Sequence, residues 1–261
     1  MPSAFADHFA PVSSAYADYR PTYPAGLFAW LAEIAPGREL AWDCACGSGQ
    51  ASLDLAEHFA QVAATDASAA QLAGAAPHAR VEYRQAPAEA SGLPTSSVDL
   101  ITVAHALHWF DLDRFQAEAR RVLRPNGVLA VWSYGIQEVE GKAVNAAVQH
   151  FYHSVVGPYW PPERVHVENG YRDLPFPFPQ RPAPAFVMSA RWNLARLLGY
   201  FSSWSATGRF ITERGVDPVT ALGTELVPLW GPPEVERLIT WPLALRVGIH
   251  STEKSVGHAN T

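Results

Sequence analysis

A chain of 261 residues, 48% hydrophobic and 17% charged, is long enough for a sizeable hydrophobic core and too apolar for general disorder. Lys and Arg number 19 against 25 Asp and Glu, and the net charge of −6 excludes the basic footprint of a nucleic-acid binder. Two cysteines, Cys44 and Cys46, are too few for a disulfide scaffold or an all-cysteine zinc site.

In chain order, residues 24–35 (PAGLFAWLAEIA) predict a helix that Pro36-Gly37 stops. ELAWDC (39–44) predicts a short strand, followed by a glycine loop and a helix over 51–60. QVAATD (61–66) is a second strand with an Ala-rich helix behind it, and RVEYRQ (80–85) is a third. The apolar run VDLITVA (98–104) reads as a buried parallel strand. A helix over 112–123 ends at Pro125-Asn126-Gly127, and VLAVWSY (128–134) is the next strand. Beyond it the pattern predicts a helix at 138–156, a strand at 186–192, helices at 194–207 and 216–227, and a last strand at 241–250. The Pro-rich stretch at 158–184 is excluded from the sheet centre, because proline has no ladder donor. Alternating strands and helices predict an α/β fold: a doubly wound, Rossmann-like, seven-stranded, mostly parallel sheet with helices on both faces and a helical cap on the substrate side. The expected organisation is one domain over 1–250, with a core at about 24–134, cap segments at 1–23, 135–185 and 194–230, and a polar tail at 251–261. The start MPSAFADHFAP shows no basic stretch leading into an apolar one, and no apolar run is long enough for a bilayer. A cytoplasmic protein with no membrane and no nucleic-acid partner is expected.

The loop Asp43-Cys44-Ala45-Cys46-Gly47-Ser48-Gly49-Gln50 lies where a first strand turns into a helix. Glycines there let backbone approach a ligand closely, and the helix start offers N–H groups to an anion. Asp66 closes the second strand, where a carboxylate accepts from the two hydroxyls of a ribose. Its alternative is a helix N-cap. The nicotinamide fingerprint is not met: Ser52 stands at the third glycine position, and no Tyr-x-x-x-Lys pattern accompanies it.

DCACGSGQAS resembles motif I of the class I S-adenosylmethionine-dependent methyltransferases. The resemblance continues in order through Asp66, Pro87-Ala88-Glu89 with Leu93-Pro94, SSVDLITVAHALHWFD and RRVLRPNGVLAVW. YADYRPTYP, SSWSATGRF and RVGIH resemble the subgroup similar to trans-aconitate methyltransferase. It implies S-adenosylmethionine as cofactor and a small-molecule acceptor, with a slight tilt toward oxygen of a carboxylate or hydroxyl. It also implies a cofactor set of Tyr16, Arg20, Asp43, Ala45, Gly47, Gly49, Gln50, Asp66, Ala67, Ala88, Glu89 and His105. The ribose diol falls to Asp66 and the adenine to Ala67 and the Ala88 backbone. The ammonium falls to carbonyls of the 45–47 turn in the field of Asp43, and the carboxylate to Arg20 on an N-terminal segment folded over the cofactor.

Two positions depart from the family. Ala45 replaces the usual first glycine, and its methyl is tolerated while the backbone keeps an ordinary φ. Pro87 replaces an acidic acceptor for the adenine amino group, which leaves Glu89 or a backbone carbonyl to serve. His108 in HWFD is the candidate general base, with hydrogen-bonded packing as its alternative. Trp109, Tyr134 and Trp204 are candidate walls for the sulfonium, and core packing is the competing role. Arginines at 181, 191, 196 and 209 are candidates for an acidic acceptor, against surface solvation. His150 and His153 share a helix face without further ligands in register, so no metal is expected. A protein that binds the cofactor without transferring methyl, or uses it for another reaction, stays open beside the methyltransferase.

Overall fold

Pro24 sets the entry of helix α1 (Ala25–Ile34), which buries Leu27, Phe28, Leu31 and Ala32 along one stripe. The computed structural model describes residues 21–251. Strand β1 (Leu40–Cys44) leads into α2 (Gln50–Ala56), β2 (Gln61–Asp66) into α3 (Ala69–Leu72), and β3 (Val81–Gln85) follows. Strand β4 (Val98–Ala104) is buried over six of its seven residues, as its mainly apolar sequence requires. Helix α4 (Leu112–Val122) begins at Asp111, whose carboxylate accepts from the Arg114 amide, and β5 (Leu123–Tyr134) follows. The strands β1 to β5 pair in parallel in the order β3-β2-β1-β4-β5.

Side-chain alternation divides the core into two faces. Ala41, Leu100, Val128, Ala130 and Trp132 meet α1 and α2 on one side. Trp42, Ile101, Val103, Leu129 and Val131 meet Phe115, Ala119 and Val122 of α4 on the other.

The second half departs from the predicted elements. The two-residue strand β6 (Glu138–Val139) precedes α5 (Lys142–His150), which continues into a π turn at Phe151–Val155. The short α6 (Arg164–Glu168), β7 (Gln180–Arg181) and β8 (Val187–Trp192) come next. The helix predicted over 194–207 breaks at Ser203-Trp204 into α7 (Leu194–Ser202) and α8 (Ser205–Arg214). Helix α9 (Pro218–Trp230) and β9 (Arg237–Ile249) complete the described chain. Among the described residues the sheet therefore has nine strands and not seven. Strand β9 runs antiparallel to β5 and β6 on one edge and to β7 and β8 on the other. The two extra pairings, β6 and β7, are too short to carry a sequence period. The short β7 lies between Pro179 and Pro182 at the sheet's periphery, where missing donors are tolerated.

Candidate active site

The strand order reverses at β1: β2 and β3 extend to one side, β4 and β5 to the other. Crevices for ligands open at the carboxyl ends of strands at such a switch point. The residues gathered there follow β1, β2, β3, β4 and β5.

Asp43 is wholly buried and takes hydrogen bonds from Ser52 Oγ at 2.6 Å and Thr102 Oγ1 at 3.0 Å. Burial pushes its carboxyl up to about 6, with the neighbouring Asp66 and Asp54 adding to the rise and the two hydroxyls opposing it. The turn after it is left-handed at three residues: Ala45 (φ 57°), Gly47 (φ 57°) and Gly49 (φ 82°). Ala45 thus lies outside the ordinary φ region expected for it, and its Cβ carries a cost of roughly 1–2 kcal/mol. The loop holds this shape because the Cys46 amide donates to Thr65 O at 2.9 Å and the Gly47 amide to Asp66 Oδ2 at 2.8 Å. Gly49 has a packing reason: a Cβ there would lie 2.3 Å from the Tyr83 hydroxyl. That hydroxyl is buried with no hydrogen-bond partner among the described residues, and burial pushes it up to about 12. Both thiols are likewise pushed up by burial, which keeps Cys44 and Cys46 protonated.

Asp66 also accepts from the Ser68 amide at 2.8 Å through Oδ1. The N-cap of α3 is Ser68 itself, whose hydroxyl accepts from the Gln71 amide, so the cap alternative does not describe Asp66. A carboxylate has about four acceptor positions, a capacity beyond two backbone amides. Ala67 is half-buried beside it, and Ala88 lies buried after β3. Glu89 accepts from the Asp111 amide at 2.8 Å and thereby ties the exit of β3 to the start of α4.

After β4 the chain turns through His105 in the left-handed region (φ 58°), its amide donating to Trp132 O at 2.8 Å. The His105 ring stacks on Tyr134 at 4.3 Å. His108 sits in a short 3-10 turn (Leu107–Trp109), 4.7 Å from the Trp109 ring, with Nδ1 2.9 Å from the Tyr171 hydroxyl. Burial drives His108 down to about 3, helped by the positive Arg164 and by His166, so the ring is neutral. Burial drives the Tyr171 hydroxyl well up.

The structure brings together Asp43, Ala45, Gly47, Gly49, Gln50, Asp66, Ala67, Ala88, Glu89, His105 and His108 along these strand ends. Tyr16 and Arg20 lie outside the described residues. Trp204 belongs to an aromatic cluster of the cap, 4.8 Å from Phe201 and 5.4 Å from Trp160 and Tyr200. Arg181 lies 5.8 Å over Trp30. Arg191 and Arg196 line a separate open depression of about 370 Å³ with Trp192 and Glu236. Tyr171 and Arg164 were not singled out in the sequence; Tyr171 contacts His108 from 63 residues away, the charge of Arg164 acts on it from 56 residues away, and no local pattern announces either. Among the described residues no three His, Cys, Asp or Glu side chains gather to hold a metal ion.

Residues 42–131 match the methyltransferase domain family. The chain is 37% identical over 219 residues to a Dictyostelium discoideum protein named as a methyltransferase, covering 83% of each. A Saccharomyces cerevisiae protein named as an S-adenosylmethionine-dependent methyltransferase is 30% identical over 131 residues, 47% of this chain and 45% of that one. A solved structure from Anaeromyxobacter dehalogenans, described as a type II methyltransferase, is 50% identical with a TM-score of 0.85, covering 90% of this chain and 99% of that one. The fold and its switch-point loop define a class I methyltransferase. The chain belongs to the S-adenosylmethionine-dependent methyltransferases, and S-adenosylmethionine is its cofactor.

Proposed function

We propose that the chain methylates a small-molecule acceptor in the cytoplasm, with oxygen of a carboxylate or hydroxyl as the receiving atom. The observation that carries this reading is the wall of rings at the ends of β4 and β5. His105 stacks on Tyr134, and His108 neighbours Trp109 at 4.7 Å and Tyr171 at 5.8 Å between ring centroids. Aromatic walls of this kind suit a small ligand, and the net charge of −6 disfavours a nucleic acid. No helix among the described residues is long and apolar enough to cross a membrane. The likeness of the chain's motifs to trans-aconitate methyltransferase tilts the acceptor toward a carboxylate.

The residues present fit the cofactor. In our reading Asp66 takes the ribose diol, because its two amide contacts hold the carboxylate in place at the strand end. Ala67 and Ala88 lie against the adenine. Pro87 offers no side-chain acceptor, and Glu89 is engaged with the Asp111 amide, so backbone serves the adenine edge. Carbonyls of the 45–47 turn take the ammonium in the field of Asp43. When bound, the cofactor supplies an electrophilic methyl group on a sulfonium. The chain's part is to align the acceptor and exclude water, and proximity of this kind is worth on the order of 7–11 kcal/mol.

Titration with S-adenosylhomocysteine, followed by an acceptor screen that reads its release from S-adenosylmethionine, tests the proposal. One tight site per chain and turnover of a small acid or alcohol are expected. Asp66→Ala should weaken binding by about 1–3 kcal/mol, the cost of lost charge-assisted hydrogen bonds. Unchanged affinity in the folded variant would remove Asp66 from the site. Binding without turnover of any acceptor would favour the non-transferring alternative.

A further inference from the structure

We propose that Tyr171 is a positioning residue that fixes His108 as a hydrogen-bond donor through Nε2, and that His108 with Arg164 selects an anionic oxygen acceptor. The inference rests on the small-molecule methyl transfer proposed above and names the acceptor class of that site.

The backbone of Tyr171 is the first observation. It is a bulky residue held in the left-handed region (φ 58°), directly after Gly170 (φ 61°), and it is fully buried. Such a conformation costs about 1–3 kcal/mol and persists only where surroundings over-determine it. They do so here: the Tyr171 amide donates to His166 O at 2.8 Å, and Arg246 Nη1 donates to the Tyr171 carbonyl and, at 2.8 Å, to Leu174 O. The outcome is a phenol hydroxyl aimed at His108 Nδ1 across 2.9 Å.

The direction of that bond follows from burial. If Nδ1–H donated, the Tyr171 proton would be left without an acceptor among the described residues. An unsatisfied buried donor costs about 1–3 kcal/mol. If Tyr171 donates, its oxygen still receives the nearby Leu107 amide, which favours the same arrangement. The single ring proton of neutral His108 is then on Nε2. His108 is only partly buried while Tyr171 is wholly so, and Nε2 is the ring nitrogen not engaged by the phenol. The charged and titratable groups around the ring are Arg164 and His166 of α6, Tyr171 after it, and His105 after β4. None is an anion, so nothing nearby favours a protonated imidazole.

Arg164 completes the pair. Its side chain is 17% exposed, lies 4.5 Å over the Trp160 ring, and donates from Nε to the Tyr152 hydroxyl at 2.9 Å. Glu168 approaches only to 3.8 Å, and the two Nη groups have no partner among the described residues. A guanidinium fork with open Nη groups, near enough for its charge to act on His108, matches a planar carboxylate.

The chemistry agrees with a donor and not a base. A carboxylate oxygen forms the C–O bond as the methyl carbon's bond to sulfur breaks. The electron pair stays on sulfur as a neutral thioether, the ester is neutral, and no proton moves. An alcohol or amine would have to shed a proton, and an Nε2–H imidazole whose Nδ1 is occupied has no lone pair for it.

The test uses the full chain with S-adenosylhomocysteine. Nitrogen NMR of histidine-labelled protein should show His108 as the Nε2–H tautomer, unchanged from pH 5 to 9. Tyr171→Phe, with its S-adenosylhomocysteine affinity intact as the check of folding, should show mixed tautomers of a ring that stays neutral over the same pH range. Benzoate and succinate should be methylated and their amides not. His108→Gln, which keeps an N–H at similar reach, should stay within about tenfold of wild type. His108→Ala and Arg164→Gln should each lose about 10- to 100-fold in kcat/KM, mainly through KM, the effect of one charge-assisted hydrogen bond. An Nδ1–H tautomer, titration of wild-type His108 near 6.5, or a loss of 100-fold or more in His108→Gln with a pH limb would overturn the positioning role. Methylation of phenols or amines alone would overturn the anionic acceptor. No turnover of any small molecule, with the tautomer as expected, would count against the proposed function and not against the tautomer.

Discussion

Ala45 and Asp43 each work against the stability of the apo fold. At φ 57° the Ala45 methyl strains a turn that glycine would make freely. Ala45→Gly should raise stability by roughly 0.5–1 kcal/mol, the relief of strain less the extra entropy of glycine in the unfolded chain. The denaturant midpoint of the folded variant measures it, and a drop would mean the methyl packs usefully. Asp43 contributes through its raised carboxyl, about 6 when folded against 3.8 when free. The folded chain binds more protons than the unfolded one between those values. This group therefore favours folding below pH 4, and its contribution decays as the pH climbs through 6. On the proposed placement of the ammonium, cofactor binding has the opposite sign, since only ionised Asp43 would supply a field for it. S-adenosylhomocysteine affinity should fall from pH 7.5 to pH 5 in wild type and stay flat in Asp43→Asn, while that variant melts higher at pH 7.5. Calorimetry at the two pH values decides both.

At the level of elements, the segment RVLRPNG holds α4 and β5 to the sheet. Arg121 donates to Leu93 O at 2.8 Å and pairs with Glu118 at 2.7 Å, and Glu118 receives the Ser91 amide and hydroxyl. Arg124 reaches the buried Asp99 at 2.9 Å, and Asp99 Oδ2 takes the amides of Glu39 and Leu40 at 2.9 and 3.0 Å. Asp99→Ala strands two amides at the start of β1 and should cost about 2–4 kcal/mol, read from the shift in denaturant midpoint. A change under 0.5 kcal/mol would mean water replaces the carboxylate. The strands at 61–66 and 98–104 are legible in the sequence because burial on both faces writes mainly apolar segments, with the polar Thr65, Asp99 and Thr102 buried among them. The Ala-rich helix shrinks to 69–72, since Gly74 and Pro77 end it early. The predicted 138–156 helix loses its first turn because Glu138 and Val139 pair with Thr240 and Ile239, about a hundred residues on. That is a long-range competition no local window contains.

Across the whole molecule the same distinction separates the two sides of the site. The glycine loop, Asp66, His105 and His108 sit at strand ends within the first half, where the β-α order alone predicts their convergence. Tyr171 and Arg164 arrive from the irregular cap, and only the folded chain brings them to His108. Arg181 lies over Trp30, and Arg191 and Arg196 line a separate depression, because charge without a fixed backbone position carries no direction in the sequence.

Strand β9 also fixes an order of events during synthesis. It is translated after every strand it pairs with among the described residues, and it supplies the four antiparallel pairings described there. Until residues 237–249 leave the ribosome, the outer edge of β5 presents open backbone groups along the mainly apolar stretch VLAVWSY. A nascent chain stalled in the cap helices is therefore sticky along one edge, and chaperone dependence should end when this last strand closes it.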